Sequence, residues 1–130
     1  MMRGMGGMAA ANVQQVLFVL RSADLTLTSD QTFTKLFGGS NYIITGIFSN
    51  RKTGAFGVAC LGGIYNAASK GGTAIVAAAQ SWALLTGAAT SVAAVVATQI
   101  VQTATPIFSL STGNTGALTA DLFIVGFVAD

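Results

Sequence analysis

The sequence predicts an all-β protein, folded as a single β-sandwich or jelly-roll-like domain of about eight strands. Apolar and polar residues alternate in short runs, as they do along a strand with one buried face. Clusters of Gly, Ser, Thr and Asn separate these runs at roughly ten-residue spacing, which is typical of sandwiches and barrels. The Ala-rich stretches also contain Val, Ile, Thr and interrupting Gly, which favour strand over helix.

We expect residues 1–11 to form a flexible N-terminal arm and residues 12–130 to form the sandwich domain. All four methionines of the chain lie in this arm, on a backbone rich in Gly and Ala. Methionine side chains in such a setting adapt to the apolar surface of another protein. The arm lacks the Leu-rich run of a signal peptide, so it predicts no export signal. The partner-contacting candidates in the arm are Met1, Met2, Arg3, Met5 and Met8.

The first half of the chain contains several strand patterns. Alternation over 24–28 predicts a strand with Leu25 and Leu27 on one face, and alternation over 42–49 puts Phe48 on the same face as Tyr42. Asn50 to Gly54 reads as a hairpin connection, with Gly54 supplying a positive φ. Strands are predicted at 13–21, 24–28, 42–49 and 55–65. Residues 31–37 are predicted to form a strand or a short helical turn.

The second half continues the pattern. Ser69 to Gly72 are predicted to form a turn, and Pro106 favours the beginning of a strand or a position on an edge strand. The final segment is apolar on both faces, which is the pattern of a strand covered on both sides. Strands are predicted at 73–79, 91–102, 107–111 and 121–129. Residues 80–85 are predicted to form a helical turn or a short strand.

The chain has few charges for a protein exposed to water. Only 8% of its residues are charged, against about 25% in a typical soluble domain, and its net charge is +2. A monomer with this composition would precipitate easily, and its strand edges have almost no lysine to protect them. Obligate interfaces are apolar and depleted of charge. We therefore expect copies of the chain, or a larger partner, to cover much of its surface.

The residue inventory argues against an enzyme, a cofactor or a metal site. The chain has no His and no Glu, which removes most zinc sites and the common hydrolytic triads. Its single cysteine, Cys60, lies in an apolar run and reads as a small buried hydrophobe. The basic residues are scattered except for the pair Arg51 and Lys52, so no nucleic-acid-binding stripe is present in the sequence.

Residues 83–101 are long enough to span a bilayer, which raises the alternative of a holin-like membrane protein. The apolar character of the segment comes mostly from Ala, however, and several Thr, Ser and Gln residues interrupt it. Gly87 divides it into two pieces, each the length of a strand. We therefore expect strands here and no membrane association.

Two stretches, Gly62 to Gly87 and Ile107 to Gly126, resemble small structural virion proteins of tailed bacteriophages, which are encoded near the capsid and tail genes. The resemblance implies a capsid decoration (cement) protein on the capsid surface, with the major capsid protein as its partner. It also implies a homo-oligomer, with a trimer favoured and a dimer possible. A tail, neck or fibre-base component is the structural alternative.

Trp82, the only tryptophan, is the remaining interface candidate, and we expect it to fill either the core or an interface. Together with Tyr42 and Tyr65 it also raises a carbohydrate-binding alternative, since these are the aromatic residues suited to stacking on sugars.

Overall fold

The computed structural model describes residues 13–54, 60–82, 91–94, 96 and 102–130. These ranges are all-β, as the sequence predicted, and contain no helix. The predicted arm, residues 1–11, lies outside them. The described strands are β1 (Gln15–Asp24), β2 (Gln31–Thr32), β3 (Thr34–Lys35), β4 (Tyr42–Gly54), β5 (Leu61–Ala67), β6 (Gly71–Val76), β7 (Ser91–Ala94), β8 (Ile107–Thr112) and β9 (Leu118–Val128).

The strands form two antiparallel sheets, an arrangement consistent with a β-sandwich. The five-stranded sheet has the order β3-β1-β9-β4-β7, and the four-stranded sheet has the order β2-β8-β5-β6. β1 pairs with β9, β2 with β8, β4 with β7 and β5 with β6. Apart from the short β3, the pairs are therefore nested: the first strand pairs with the last, and each later strand of the first half pairs with an earlier strand of the second half.

One hydrophobic core lies between the sheets. Alternate residues of β9 point into it, and Leu122 and Ile124 are almost completely buried. The four-stranded sheet contributes Ile64, Phe108 and Leu110, all with no exposed surface. Burying a side chain of this size contributes about 1.5–3 kcal/mol, so the inward rows of the two sheets stabilise each other.

The predicted hairpin at Asn50 to Gly54 is wrong. β4 continues through these residues and pairs with β9, from Asn50 opposite Asp121 to Gly54 opposite Leu118. β5, the expected partner strand, lies in the other sheet. Gly54 does have the predicted positive φ, 93°, but it lies at the end of a paired strand where the Ala117 carbonyl approaches its Cα. A glycine of this kind looks the same in sequence whether it serves a turn or a close approach.

The predicted faces of β4 are also partly wrong. The register shifts between Ile44 and Gly46, which inserts one residue and reverses the alternation beyond it. As a result Ile47 is buried, while Phe48, which was expected on the same face as Tyr42, is 47% exposed.

The predicted strand at 24–28 is replaced by a turn. β1 ends at Asp24, whose carboxylate accepts hydrogen bonds from the Thr26 amide at 2.9 Å and the Thr26 hydroxyl at 2.6 Å. This local bonding competes with the sheet ladder and ends the strand. Leu25 is buried and Leu27 is 43% exposed, so the two leucines do not share a face.

The turn predicted at Ser69 to Gly72 is confirmed. Ser69 and Lys70 both have a φ of 58°, the left-handed conformation that tight hairpin turns require. Asp30 supports the turn by accepting a hydrogen bond from the Ser69 amide at 2.7 Å, and the Lys70 ammonium donates to the Thr28 carbonyl at 2.9 Å. The prediction that a strand begins at Pro106 is confirmed too, because β8 follows it directly.

The candidate membrane span contains a strand. Within residues 83–101, Ser91–Ala94 form β7 and pair with β4, so these four residues are not helical. Apart from residue 96, the remainder of that segment lies outside the described ranges. In the described part of the chain, no helix has the length and apolar character needed to cross a membrane.

Candidate functional site

The outward side of the five-stranded sheet carries apolar side chains that lie outside the core cluster, and their burial ranges from Val19, at 8% exposed, to Phe48, at 47% exposed. Residues directly opposite each other in an antiparallel pair share a face, so the register defines the rows. One row joins Val19 to Phe123 and Phe48, and the next joins Val16 to Val125. We call this set the apolar outer face; its residues are Val16, Val19, Ile43, Phe48, Phe123, Val125 and Phe127.

Two residues dominate what this face presents to a neighbour. Phe48 is 47% exposed and Val16 is 41% exposed. The Phe48 ring lies over Gly46, where an added Cβ would come within 3.1 Å of Cε2 of the ring. Because Gly46 has no side chain, the Phe48 ring has room at this position, beside Val125, which lies opposite Gly46 on β9. The register shift in β4 places Phe48 on this face, since without it the alternation would turn the ring inward.

An ion pair borders the apolar outer face at one end. Arg21 Nη1 lies 3.4 Å from Asp121 Oδ2, and the Arg21 guanidinium carbon lies 5.3 Å from the centre of the Phe123 ring. The pair is largely exposed on the arginine side, so it contributes little to stability. Its effect is to mark where the apolar surface ends.

A strained backbone position holds this border in place. Ser22 has a φ of 52°, and the register of β1 against β9 shifts between Leu20 and Ala23. The Ser22 amide donates a hydrogen bond of 2.8 Å to Asp121 Oδ1. Asp121 thus binds both the side chain of Arg21 and the backbone beside it. A bulge with this geometry re-aims a side chain at the edge of a sheet.

The structure places Trp82 in the core, with no exposed surface. Its ring packs edge-on against Phe108 with centroids 5.5 Å apart, and Nε1–H donates a hydrogen bond of 3.2 Å to the Gly62 carbonyl. The side chain therefore has no surface to offer a partner, and we no longer count it among the interface candidates. The other candidates, in the arm, lie outside the described residues.

The aromatic residues of the carbohydrate-binding alternative are also inaccessible. Tyr42 is 1% exposed and Tyr65 is 6% exposed, so neither ring can stack on a sugar. Burial raises the pKa of Tyr42 to about 12, and its hydroxyl donates to the Ala104 carbonyl. Tyr42 belongs to the hydrophobic core, and Tyr65 is buried outside the core cluster.

Cys60 is buried, as the sequence predicted. Burial raises the pKa of its thiol to about 11, so the thiolate needed for a nucleophile is scarce at neutral pH. Its sulfur lies 3.8 Å from the Leu25 carbonyl oxygen. In the described ranges, no three Cys, Asp or Glu side chains come together in a way that could hold a metal ion.

No family model matches the chain, and neither does any curated protein or solved structure. The resemblance to phage virion proteins therefore stays a prediction.

Sequence reasoning missed Phe48 and Val16 as surface residues. One signal did point to the face: the segment 121–129 has apolar residues on both sides of its alternation. The inward row is buried, as expected for such a strand, but Phe123, Val125 and Phe127 remain only half-buried. Within a single chain, the second side of this central strand is thus incompletely covered.

Proposed function

We propose that this protein is a structural virion protein that binds the outside of a tailed-phage capsid and stabilises contacts between major capsid subunits. In this role it is a decoration (cement) protein. It acts through binding surfaces and not through catalysis.

The strand order supports a jelly-roll fold for this domain. With the two-residue β3 left aside, eight strands remain, and they pair first with last, second with seventh, third with sixth and fourth with fifth. The two sheets then each contain four of them, in the orders β1-β9-β4-β7 and β2-β8-β5-β6. This wrapped ribbon is the pattern of jelly rolls, which recur in viral capsid and lectin domains. The buried aromatic rings disfavour the lectin role.

The observation that carries the proposal is the apolar outer face on a domain with few charges. Phe48 and Val16 expose apolar surface side by side with the half-buried Phe123 and Val125. Contiguous apolar patches on a sheet mark interaction sites. In a particle built from many subunits, neighbouring subunits cover such a face. The small number of charged residues then does not reduce solubility, because the apolar surface is not exposed to water.

The arm supplies a second attachment in this proposal. Residues 1–11 contain the four methionines, whose flexible side chains fit irregular apolar surfaces such as the junctions between shell subunits. The arm leads into β1, the strand that carries Val16.

Quantitative mass spectrometry of purified virions tests the proposal. We expect a copy number that scales with the number of major capsid subunits. A low, ring-like number would instead indicate a tail, neck or fibre-base component, and absence from the particle would exclude any virion role.

A variant lacking residues 1–11 should keep the circular dichroism spectrum of a β protein while its occupancy on the capsid falls; the full-length chain is the control.

A further inference from the structure

The Gln102 side chain carries a buried hydrogen-bond donor that no described residue accepts from. Gln102 is 4% exposed, and its side-chain nitrogen, Nε2, is buried without a hydrogen-bond partner in the described ranges. The residue is held firmly, because its backbone amide donates to the Tyr42 carbonyl at 2.7 Å and its carbonyl accepts from the Tyr42 amide at 3.0 Å. A buried donor without an acceptor is rare in folded proteins and costs free energy, so this nitrogen requires an acceptor.

The orientation of the Gln102 amide follows from a backbone group. The oxygen and nitrogen of Asn and Gln side chains are assigned from the hydrogen bonds they make. The Thr73 backbone amide can only donate, and it lies 2.7 Å from Asn66 Oδ1. Asn66 Nδ2 is therefore the atom that faces Gln102, and it lies 3.5 Å from Oε1 of that residue. Exchanging the oxygen and nitrogen of Gln102 would set two donors against each other, so the group that lacks an acceptor is its NH2.

This amide lies between the two sheets. Gln102 forms an isolated bridge with Tyr42, which is the first residue of β4 in the five-stranded sheet. Residues directly opposite each other in an antiparallel pair share a face, so the Gln102 side chain lies on the same side as the buried Tyr42 ring. Asn66 belongs to β5 in the four-stranded sheet. The hydrogen bond between Asn66 and Gln102 therefore connects one sheet to the other.

The group that completes this site must be small and must accept a hydrogen bond. At 4% exposure, Gln102 is too deeply buried to receive an acceptor from a partner protein. A water molecule is small enough, and buried waters make about three hydrogen bonds each. Here a water can accept from Gln102 Nε2. The Tyr42 hydroxyl donates to the Ala104 carbonyl, which leaves lone pairs on both oxygens that can accept from the water.

We propose that Gln102 Nε2 donates to a buried water molecule that lies between the two sheets beside Tyr42. The water satisfies the only group of this amide that the described residues leave unpaired, and it extends the polar contact between Asn66 and Gln102. It is therefore part of the folded structure and not of the hydration layer. This site belongs to the folded domain itself and does not depend on the capsid role.

Nuclear magnetic resonance of the isotope-labelled, full-length chain tests the proposal. The side-chain amide protons of Gln102 should show cross peaks to water that have opposite signs in NOE and ROE spectra. This pair of signs is the signature of a long-lived bound water, whereas proton exchange gives the same sign in both. Gln14 is the matched control, because it has the same amide in an exposed position and should not show the pair.

A second measurement uses a variant. Gln102→Met removes the donor and keeps a side chain of similar length. Oxygen-17 relaxation dispersion, which detects long-lived internal waters, should lose the amplitude of one water in Gln102→Met and should not change in Gln14→Met. Circular dichroism confirms that each variant is folded. Because the NOE and ROE spectra use the wild type, the test remains even if Gln102→Met does not fold.

Three outcomes would overturn the proposal. One is a Gln102 side-chain amide without the water cross peaks described above. Another is a folded Gln102→Met variant with the same oxygen-17 dispersion amplitude as the wild type. The third is a scalar coupling across a hydrogen bond from Gln102 Nε2 to a protein carbonyl, which would identify an acceptor within the chain in place of the water.

Discussion

At the scale of single residues, Trp82 offers the most direct test of the core. Trp82→Ala should lower the free energy of unfolding by about 3–5 kcal/mol, because it leaves a cavity beside Phe108. Trp82→Phe should cost less than Trp82→Ala, because a phenyl ring refills part of the space, although the hydrogen bond to the Gly62 carbonyl is lost. Urea unfolding followed by circular dichroism measures both.

Val13→Ala is the control for this series. Val13 is 53% exposed, so its truncation should change stability by less than about 0.5 kcal/mol. If Trp82→Ala cost no more than Val13→Ala, the Trp82 side chain would be exposed and would not belong to the core.

Sequence reasoning succeeds for residues whose environment follows from their chemistry. Cys60 was predicted as a buried hydrophobe because an apolar run around a lone cysteine has few other uses. The exposure of Phe48 could not be predicted, because it depends on one extra residue between Ile44 and Gly46 that leaves no mark in the alternation. The outer face itself depends on which strands are neighbours, and this pairing joins residues about a hundred positions apart, such as Val19 and Phe123.

At the scale of elements, the junction of β4 and β9 depends on Gly54. Gly54→Ala would place a Cβ against the Ala117 carbonyl at a φ of 93°, so we expect a loss of about 1–3 kcal/mol in the free energy of unfolding. Gly116→Ala is the matched control, because its nearest neighbour would be the Asn114 side chain at 3.9 Å. Thermal unfolding of the two variants should give clearly different midpoints, and equal midpoints would contradict the strand pairing at Gly54.

Most strands could be predicted from the sequence, but the connections between them could not. The turn at Ser69 and Lys70 joins neighbouring strands and was identified by its local residues. The segment from Asn50 to Gly54 has similar turn chemistry, but there the chain continues along β9 before it leaves for the other sheet. The local residues show where the backbone can bend, but they do not show which strand pairs with the segment. The hairpin predicted at Asn50 to Gly54 was therefore an error of topology.

At the scale of the whole molecule, acid should weaken the fold. Hydrogen bonds from Thr26 lower the pKa of Asp24, and the amides of Asn41 and Ser40 lower the pKa of Asp130, each relative to an ordinary value of 3.8. A lowered folded-state pKa stabilises the fold at pH values above 3.8, and this contribution disappears as the pH falls through the folded-state value. The melting temperature should therefore drop as the pH is lowered below about 4.

Differential scanning calorimetry across this range checks the expectation. Asp24→Asn keeps a side-chain oxygen for Thr26 but cannot titrate, so its melting temperature should depend less steeply on pH than that of the wild type. A wild-type curve that stays flat down to about pH 2 would show that these carboxylates contribute nothing through ionisation.

The nested pairing of the strands has a consequence for how the chain reaches its native state. β5 and β6 are joined by a turn of a few residues, and each further pair, β4 with β7, β2 with β8 and β1 with β9, encloses the one before it. Once the inner hairpin exists, each later pair closes only a short additional loop, which reduces its entropic cost. Folding can thus begin at the β5–β6 hairpin in the middle of the chain and add the outer strand pairs one after another. During synthesis, β1 therefore lacks its long partner β9 until residues 118–128 have left the exit tunnel of the ribosome.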